Sequence, residues 1–331
     1  MAWSKDCIVS CKVLVTGANG FVGKNLVDLL DFKGFEVLSI LRSHATYRKK
    51  SVIIPSLDKS TDFGQLLVGY DCLIHCAARV HIMDDNEAEP LTLYREVNTA
   101  GTVNLAKQAI DSGVKRFVFI SSIKVNGEGT LVGSPFKTED NHAPEDDYGL
   151  SKSEAEKQLV ALAKDSGMEV VIIRPTLVYG PGVKANFASL MNLVSKGIPL
   201  PFGCITKNKR SLVSVDNLVD LIITCIDHPK AANQVFLVSD DHDISTSEMV
   251  REMAIALNKP AWQLPVPVWC YKIVGKLFNK SAVVDRLTGS LQVDISHTKD
   301  TLGWRPPQSL RDGFKQTAEA FLHSKKNSGK A

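Results

Sequence analysis

The sequence contains no CxxC pair. Its seven cysteines, Cys7, Cys11, Cys72, Cys76, Cys204, Cys225 and Cys270, are odd in number and irregular in spacing. That excludes a zinc ribbon and a dithiol redox motif. Reduced thiols in a chain of this length point to the cytoplasm. Cys72 and Cys76 lie in an apolar run and are expected to be buried. Long hydrophobic runs are also missing. The longest, near Leu218–Ile226, falls far short of the roughly 20 residues that a membrane span needs. Residues 1–10 carry Lys5 and Asp6 and lack the apolar centre of a signal peptide. Neither sign of charge dominates: 39 Lys and Arg stand against 36 Asp and Glu, a net of +3. No basic stripe marks a nucleic-acid surface. Arg48-Lys49-Lys50 is expected to be a solvated loop. His75 and His81 have no partner at ligand spacing, so no metal site is expected.

What is present is ordinary globular material, 44% hydrophobic and 23% charged. At about 150 residues per domain, 331 residues suggest two lobes. Short apolar runs alternate with helical patterns. Strands are expected at Lys12–Thr16, Glu36–Leu41, Asp71–His75, Arg116–Ser121 and Glu169–Arg174. Helices are expected at Gly23–Leu30, Val97–Ser112 and Ser151–Asp165. Strands that are apolar throughout are covered on both faces. The alternation predicts an α/β fold with a doubly wound parallel sheet over residues 12–175. After Pro175 proline and glycine become frequent. A strand is expected at Gln234–Ser239 and a helix near Ser247–Leu257. The expectation is a smaller mixed lobe made of 176–209 and 241–322, segments near 210–240 returning to the sheet, and a flexible tail at 323–331. Trp3, Trp262, Trp269 and Trp304 are expected to pack inside.

The first strand runs into Thr16-Gly17-Ala18-Asn19-Gly20-Phe21-Val22-Gly23. Glycines at this spacing, between a strand and an amphipathic helix, allow a tight turn and a close approach to a pyrophosphate. The helix N-terminus adds free N–H groups. A dinucleotide cofactor is therefore expected on Gly17, Gly20, Phe21, Val22 and Gly23. The second strand ends in Leu41-Arg42-Ser43, without the carboxylate that holds the ribose of NAD. Arg42 could meet a 2′-phosphate. NAD(P)(H) is expected, with NADP(H) favoured.

Further on, Tyr148 and Lys152 are four residues apart at the start of a helical run, so they share a face. An ammonium beside a phenol favours the phenolate and fits Tyr148 for proton exchange at a hydroxyl or carbonyl. Ser122, at the end of a strand, can bond the same oxygen.

Six motifs, in order, carry a resemblance: TGANGFVG at Thr16–Gly23, HCAA at His75–Ala78, VNTAGT at Val97–Thr102, ISS at Ile120–Ser122, YGLSK at Tyr148–Lys152 and RPTLVYGPG at Arg174–Gly182. The chain resembles the extended short-chain dehydrogenase/reductases of the NAD-dependent epimerase/dehydratase family, of nucleotide-sugar type, with a Rossmann-type fold. The likeness extends over about residues 12–320, through KRSLVSVDNLVD (Lys209–Asp220) and DISHTKDTLGW (Asp294–Trp304). It implies a catalytic set of Ser122, Tyr148 and Lys152. Cofactor contacts are implied for Leu57, Ala77, Ala78, Ser121, Tyr148, Lys152 and Pro175, with Asn98 as a structural asparagine beneath the site. Asn186, Arg210 and Arg286 would hold a UDP-sugar. A homodimer is implied as well.

Relatives that eliminate water carry an acidic pair after the catalytic serine. Here those positions are Ile123 and Lys124, which argues against a dehydratase. Hydride chemistry at C4 of a UDP-sugar remains. The missing carboxylate suits an enzyme that exchanges its cofactor at each turnover. The favoured expectation is thus reduction of a UDP-4-keto-6-deoxy-N-acetylhexosamine in surface-polysaccharide synthesis. A UDP-hexose 4-epimerase is the alternative, and a non-catalytic nucleotide sensor of the same fold the second. Gly289, Ser290 and Leu291 are expected to wall the sugar pocket and leave room for an N-acetyl group.

Overall fold

The computed structural model describes residues 11–43, 50–80 and 89–328. Strand and helix alternate from the start: β1 (Lys12–Thr16), α1 (Phe21–Phe32), β2 (Glu36–Leu41), β3 (Ser51–Ile53), β4 (Cys72–His75), α2 (Pro90–Tyr94), α3 (Thr102–Asp111), β5 (Arg116–Ile120), α4 (Asp147–Ser166) and β6 (Glu169–Pro175). There follow β7 (Leu177–Tyr179), α5 (Ala185–Ser195), β8 (Arg210–Ser214), α6 (Val215–Asp227), β9 (Val235–Val238), β10 (Asp243–Ile244) and α7 (Thr246–Ala256). The chain closes with α8 (Val268–Leu277), α9 (Ser281–Thr288), α10 (Ser296–Leu302) and α11 (Leu310–Ser328).

Seven strands make one parallel sheet in the order β3-β2-β1-β4-β5-β6-β9. The inner strands are mostly apolar because both faces are covered, whereas β3 at the edge is partly exposed. One face packs Val13, Val15 and Val118 with α1 and α6. The other packs Leu14, Phe117 and Phe119 with α3 and α4. The chain moves outward from β1 to β3, then returns to β4 on the other side. That reversal opens a crevice at the carboxyl ends of β1 and β4, where ligands of such sheets bind. A three-stranded sheet, β10-β8-β7, carries a separate core with α5, α7 and α11. Of the segments expected to return to the main sheet, β9 does so and β8 belongs to the smaller one. Among the described residues no helix is long and apolar enough to cross a membrane.

Several expectations are corrected. The helix expected at Val97–Ser112 begins with a wide π-helical turn, Arg95–Gly101, before α3. Lys50 is exposed outside the strands, as expected of a solvated loop, and its ammonium donates to Glu36 at 2.8 Å. Trp304 is buried and its indole N–H donates to Asp220 at 2.9 Å. Trp262 and Trp269 do not pack inside; they are 64% and 63% exposed. Cys72 is buried, Cys76 only partly so. Helix α11 continues to Ser328, through the start of the expected tail. Trp3, Cys7, Arg48, Lys49 and His81 lie outside the described residues.

Candidate active site

The glycine turn follows β1 directly. Gly17 has φ +69°, and a Cβ there would lie 2.6 Å from the Ala77 nitrogen. Only glycine lets this turn approach the residue after β4 so closely. Gly20 caps α1 without a side-chain bond, and the first turn of α1, which holds Phe21 and Val22, has no acidic residue. The positive end of the helix is therefore left uncompensated toward the crevice.

A cavity of about 360 Å³ opens there, lined by Gly17, Gly20, Arg42, Ser56, Leu57, Asp58, Cys76, Ala77 and Ala78, among others. The expected residues from four separate stretches thus meet in one place. Arg42 is exposed at its edge. The Asp58 carboxyl, which the sequence reading did not single out, is held down at about 2 by bonds from Ser60. The close cradle of Gly17 on Ala77 and the donor-rich helix end fit a dinucleotide.

Asn98 stands on the π-helical turn and is fully buried. Its amide donates to the Arg79 carbonyl at 2.9 Å and the Ser151 hydroxyl at 3.0 Å, and its oxygen accepts from Arg79 N–H at 2.8 Å. It ties the loop after β4 to α4 and spends these bonds on the protein. Its bonds are those of a brace beneath the site.

Helix α4 begins at Asp147, capped by the Asp146 carboxylate on the Gly149 N–H at 2.7 Å. Tyr148 therefore sits in the first turn, earlier than the helix expected from Ser151. A Cβ at Gly149 would lie 2.7 Å from the Lys124 carbonyl, so glycine lets α4 close on the segment after β5. The Lys124 ammonium bridges Asp146 and Glu128. Burial works against the Asp146 carboxylate, but Lys124 and the Gly149 N–H hold its pKa below the usual range. Lys124, weighed in the sequence only as a missing acid, proves to be the clamp of this helix start.

Lys152 is 1% exposed. Its ammonium donates to the Ile120 carbonyl at 2.9 Å and lies 4.3 Å from the Phe119 ring centre. Burial lowers its pKa to about 8. Its charge is felt at Cys76, which lines the cavity. The Tyr148 ring meets Tyr94 edge-on at 6.2 Å. Burial, and then Asp146 and Tyr94, raise the Tyr148 hydroxyl above its ordinary pKa. This corrects the expected lowering by Lys152, whose ammonium is engaged with the Ile120 carbonyl.

Ser122 follows β5, half-buried, and its oxygen accepts from Lys124 N–H at 3.2 Å. Its own proton stays available for donation. Ser121 turns the other way, into a buried network, and donates to Glu156. Glu156 also takes Arg174 at 2.6 Å, and Arg174 donates to Asn126 at 3.0 Å and His142 at 2.6 Å. The Ser121 hydroxyl is thus committed to Glu156. Pro175 ends β6, buried and paired with Val238. His75 is a core residue: Thr16 and Thr102 bond its two nitrogens, and burial lowers its pKa to about 3.

On the smaller sheet, Arg210 opens β8 and donates to the Arg286 carbonyl at 2.9 Å. Burial and then the Arg286 charge lower its pKa. The two arginines are thus neighbours. Asn186 lies exposed on the first turn of α5, and among the described residues it bonds neither of them. The expected sugar wall is corrected. Ser290 and Leu291 are each 8% exposed. Ser290 Oγ accepts from Lys209 N–H at 3.0 Å and Leu291 N–H donates to the Lys209 carbonyl at 2.9 Å. This stretch is stitched to the chain before β8, and it offers no argument for an N-acetyl group.

The family model of the "NAD dependent epimerase/dehydratase family" matches residues 13–239. A protein of Vibrio cholerae, "UDP-glucose 4-epimerase", is 75% identical over 314 residues, 94% of this chain and 96% of that protein. Among solved structures, UDP-glucose 4-epimerase of Thermotoga maritima with UDP-glucose matches with a TM-score of 0.74 at 20% identity, covering 95% of this chain and 99% of that one. UDP-glucuronic acid 4-epimerase of Bacillus cereus with NAD has the same TM-score, identity and coverage. The 75% identity to an epimerase overturns the expected reduction of a UDP-4-keto sugar.

Proposed function

The chain belongs to the NAD-dependent epimerase/dehydratase family, and on that premise we propose that it is a UDP-hexose 4-epimerase, interconverting UDP-glucose and its C4 epimer. One observation carries the chemistry: a buried, charged Lys152 stands one helical turn from Tyr148, whose hydroxyl has no hydrogen-bond partner among the described residues. When bound, NAD supplies the hydride acceptor and donor at C4.

Gly17, Gly20, Leu57, Ala77 and Ala78 would hold that cofactor, with Arg42 at the adenosine end. The preference for NADP(H) drawn from Arg42 has no support in a family described as NAD dependent. For this step Tyr148 must stand as the phenolate, against the burial that favours the phenol; its Oη then takes the proton of the C4 hydroxyl, becoming the neutral phenol, and later returns that proton to the same oxygen. Ser122 donates to that oxygen and fixes its distance. Lys152, whose ammonium here is held by the Ile120 carbonyl, would favour that phenolate if it turned toward Oη once the site is loaded. Arg210 and Arg286 bind the diphosphate, where the planar guanidinium matches paired phosphate oxygens. Substrate and product differ only at C4, so these contacts serve both.

The test is conversion of UDP-galactose to UDP-glucose by the purified chain and by Tyr148→Phe. That variant keeps the ring and loses the proton carrier. Its turnover should fall by about 10²-fold or more with cofactor binding retained. Near-normal turnover in Tyr148→Phe would overturn the assignment.

A further inference from the structure

Helices α8 and α9 make a hairpin that stands off the rest of the chain. Between Trp269 and Arg286 only Gly275 and Val284 are buried. They face each other: a Cβ on Gly275 would lie 2.7 Å from Val284 Cγ2. The hairpin closes on itself at that seam and presents the rest. Trp269, Ile273 and Leu277 are spaced as one stripe of α8, and they are 63%, 58% and 76% exposed. Phe278, where α8 ends, is 66% exposed.

Folded proteins seldom leave a contiguous apolar surface of this kind without a use. The charges beside it indicate the use. From Lys259 to Thr288, the end of the hairpin, one acid, Asp285, stands against Arg286 and four lysines: Lys259, Lys272, Lys276 and Lys280. The last three are exposed on the hairpin itself. Tryptophan, phenylalanine and aliphatic side chains beside lysines are the composition of a helix lying at a lipid–water boundary. The lysine stems can lie along apolar surface while the ammonium groups reach phosphate. A second copy of the chain would bring the same lysines against these and be repelled. Helix α8 has 10 residues, about 15 Å at the rise of an α-helix, half of the roughly 30 Å of a bilayer's hydrocarbon.

We propose that the α8–α9 hairpin is a peripheral docking site for an anionic lipid bilayer, with Trp269, Ile273 and Leu277 entering the interface and Lys272, Lys276 and Lys280 facing the headgroups. The association is reversible and needs no spanning segment.

The test uses the full chain with vesicles of phosphatidylcholine, alone or mixed with phosphatidylglycerol. Cosedimentation is expected with the mixed vesicles, weakening as salt rises. Replacing Lys272, Lys276 and Lys280 together by glutamine should weaken it by about 100-fold. Ile273→Ser with Leu277→Ser should abolish it. All these positions are exposed, so unchanged melting temperatures will show that the variants fold. Brominated lipid should quench tryptophan fluorescence in the wild type and less in Trp269→Ala. No cosedimentation with the mixed vesicles at low salt, or binding indifferent to both sets of changes, would overturn the proposal. So would sedimentation velocity showing a dimer that Leu277→Asp dissolves, since the face would then be an interface between copies.

Discussion

Lys152 holds its charge where charge is least welcome. Lowering its pKa from 10.5 to about 8 by burial corresponds to about 3 kcal/mol of destabilisation at neutral pH. The Ile120 carbonyl, the Phe119 ring and the nearby Glu156 carboxylate offset part of it. Lys152→Met removes the charge and leaves one carbonyl unpaired, a loss of about 1–3 kcal/mol. The melting temperature should therefore equal or exceed that of the wild type while turnover collapses. Calorimetry of both proteins checks this. A melting temperature several degrees lower would mean that the lysine is there for the fold. A second residue-scale prediction concerns Arg210. Its guanidinium would bind the diphosphate equally in ground and transition states, so Arg210→Ala should raise KM for UDP-sugars more than it lowers kcat. A fall in kcat at unchanged KM would place it elsewhere in the mechanism.

At the scale of elements, α4 would carry the proposed chemistry, and two devices position it. One is the start of the helix, where Lys124 clamps the Asp146 cap and Gly149 lets the first turn close. Asp146→Ala removes the cap, so it should lower stability by about 1 kcal/mol and lower kcat as well, since Tyr148 sits in that turn. Denaturant unfolding and steady-state rates measure the two effects. The other device is the buried Glu156–Arg174 pair with His142 at its edge. Arg174 donates to His142 Nε2, so this nitrogen must stay unprotonated; Nδ1 then donates to Ser153 at 2.8 Å. Burial, outweighing the pull of Glu156, lowers the His142 pKa below 6.5. Between that lowered value and 6.5 the unfolded chain binds more protons than the folded one. Stability from this group is thus full above pH 6.5 and is lost as pH falls. His142→Gln should flatten the acid limb of melting temperature against pH. An unchanged limb would assign the acid sensitivity to other groups.

At the scale of the whole molecule, the sequence disclosed the layers and concealed the joints. Runs such as Lys12–Thr16 and Glu36–Leu41 could be read as strands to the residue because a strand covered on both faces is mostly apolar between its ends. The glycine turn and the Tyr148–Lys152 pair were legible because their spacing is local. Three-residue β3 was not, since it is partly exposed and too short for a pattern. The clamp of Lys124 on Asp146, 22 residues apart, and the pair of Glu156 with Arg174, 18 apart, exist only once β5, α4 and β6 are packed. The Ser290–Leu291 stretch misled for the same reason: its polarity fitted a pocket wall, while Lys209 had already taken its bonds.

The central claim is that the chain inverts C4 without net oxidation or reduction. NAD present below the substrate concentration should then support many turnovers. The direct measurement is proton NMR of UDP-galactose with the purified chain and substoichiometric NAD, read together with absorbance of the reduced cofactor. The account predicts UDP-glucose accumulating to equilibrium, far beyond the amount of NAD, with no build-up of reduced cofactor. Product that stops at one equivalent of NAD, or reduced cofactor rising in step with product, would contradict it.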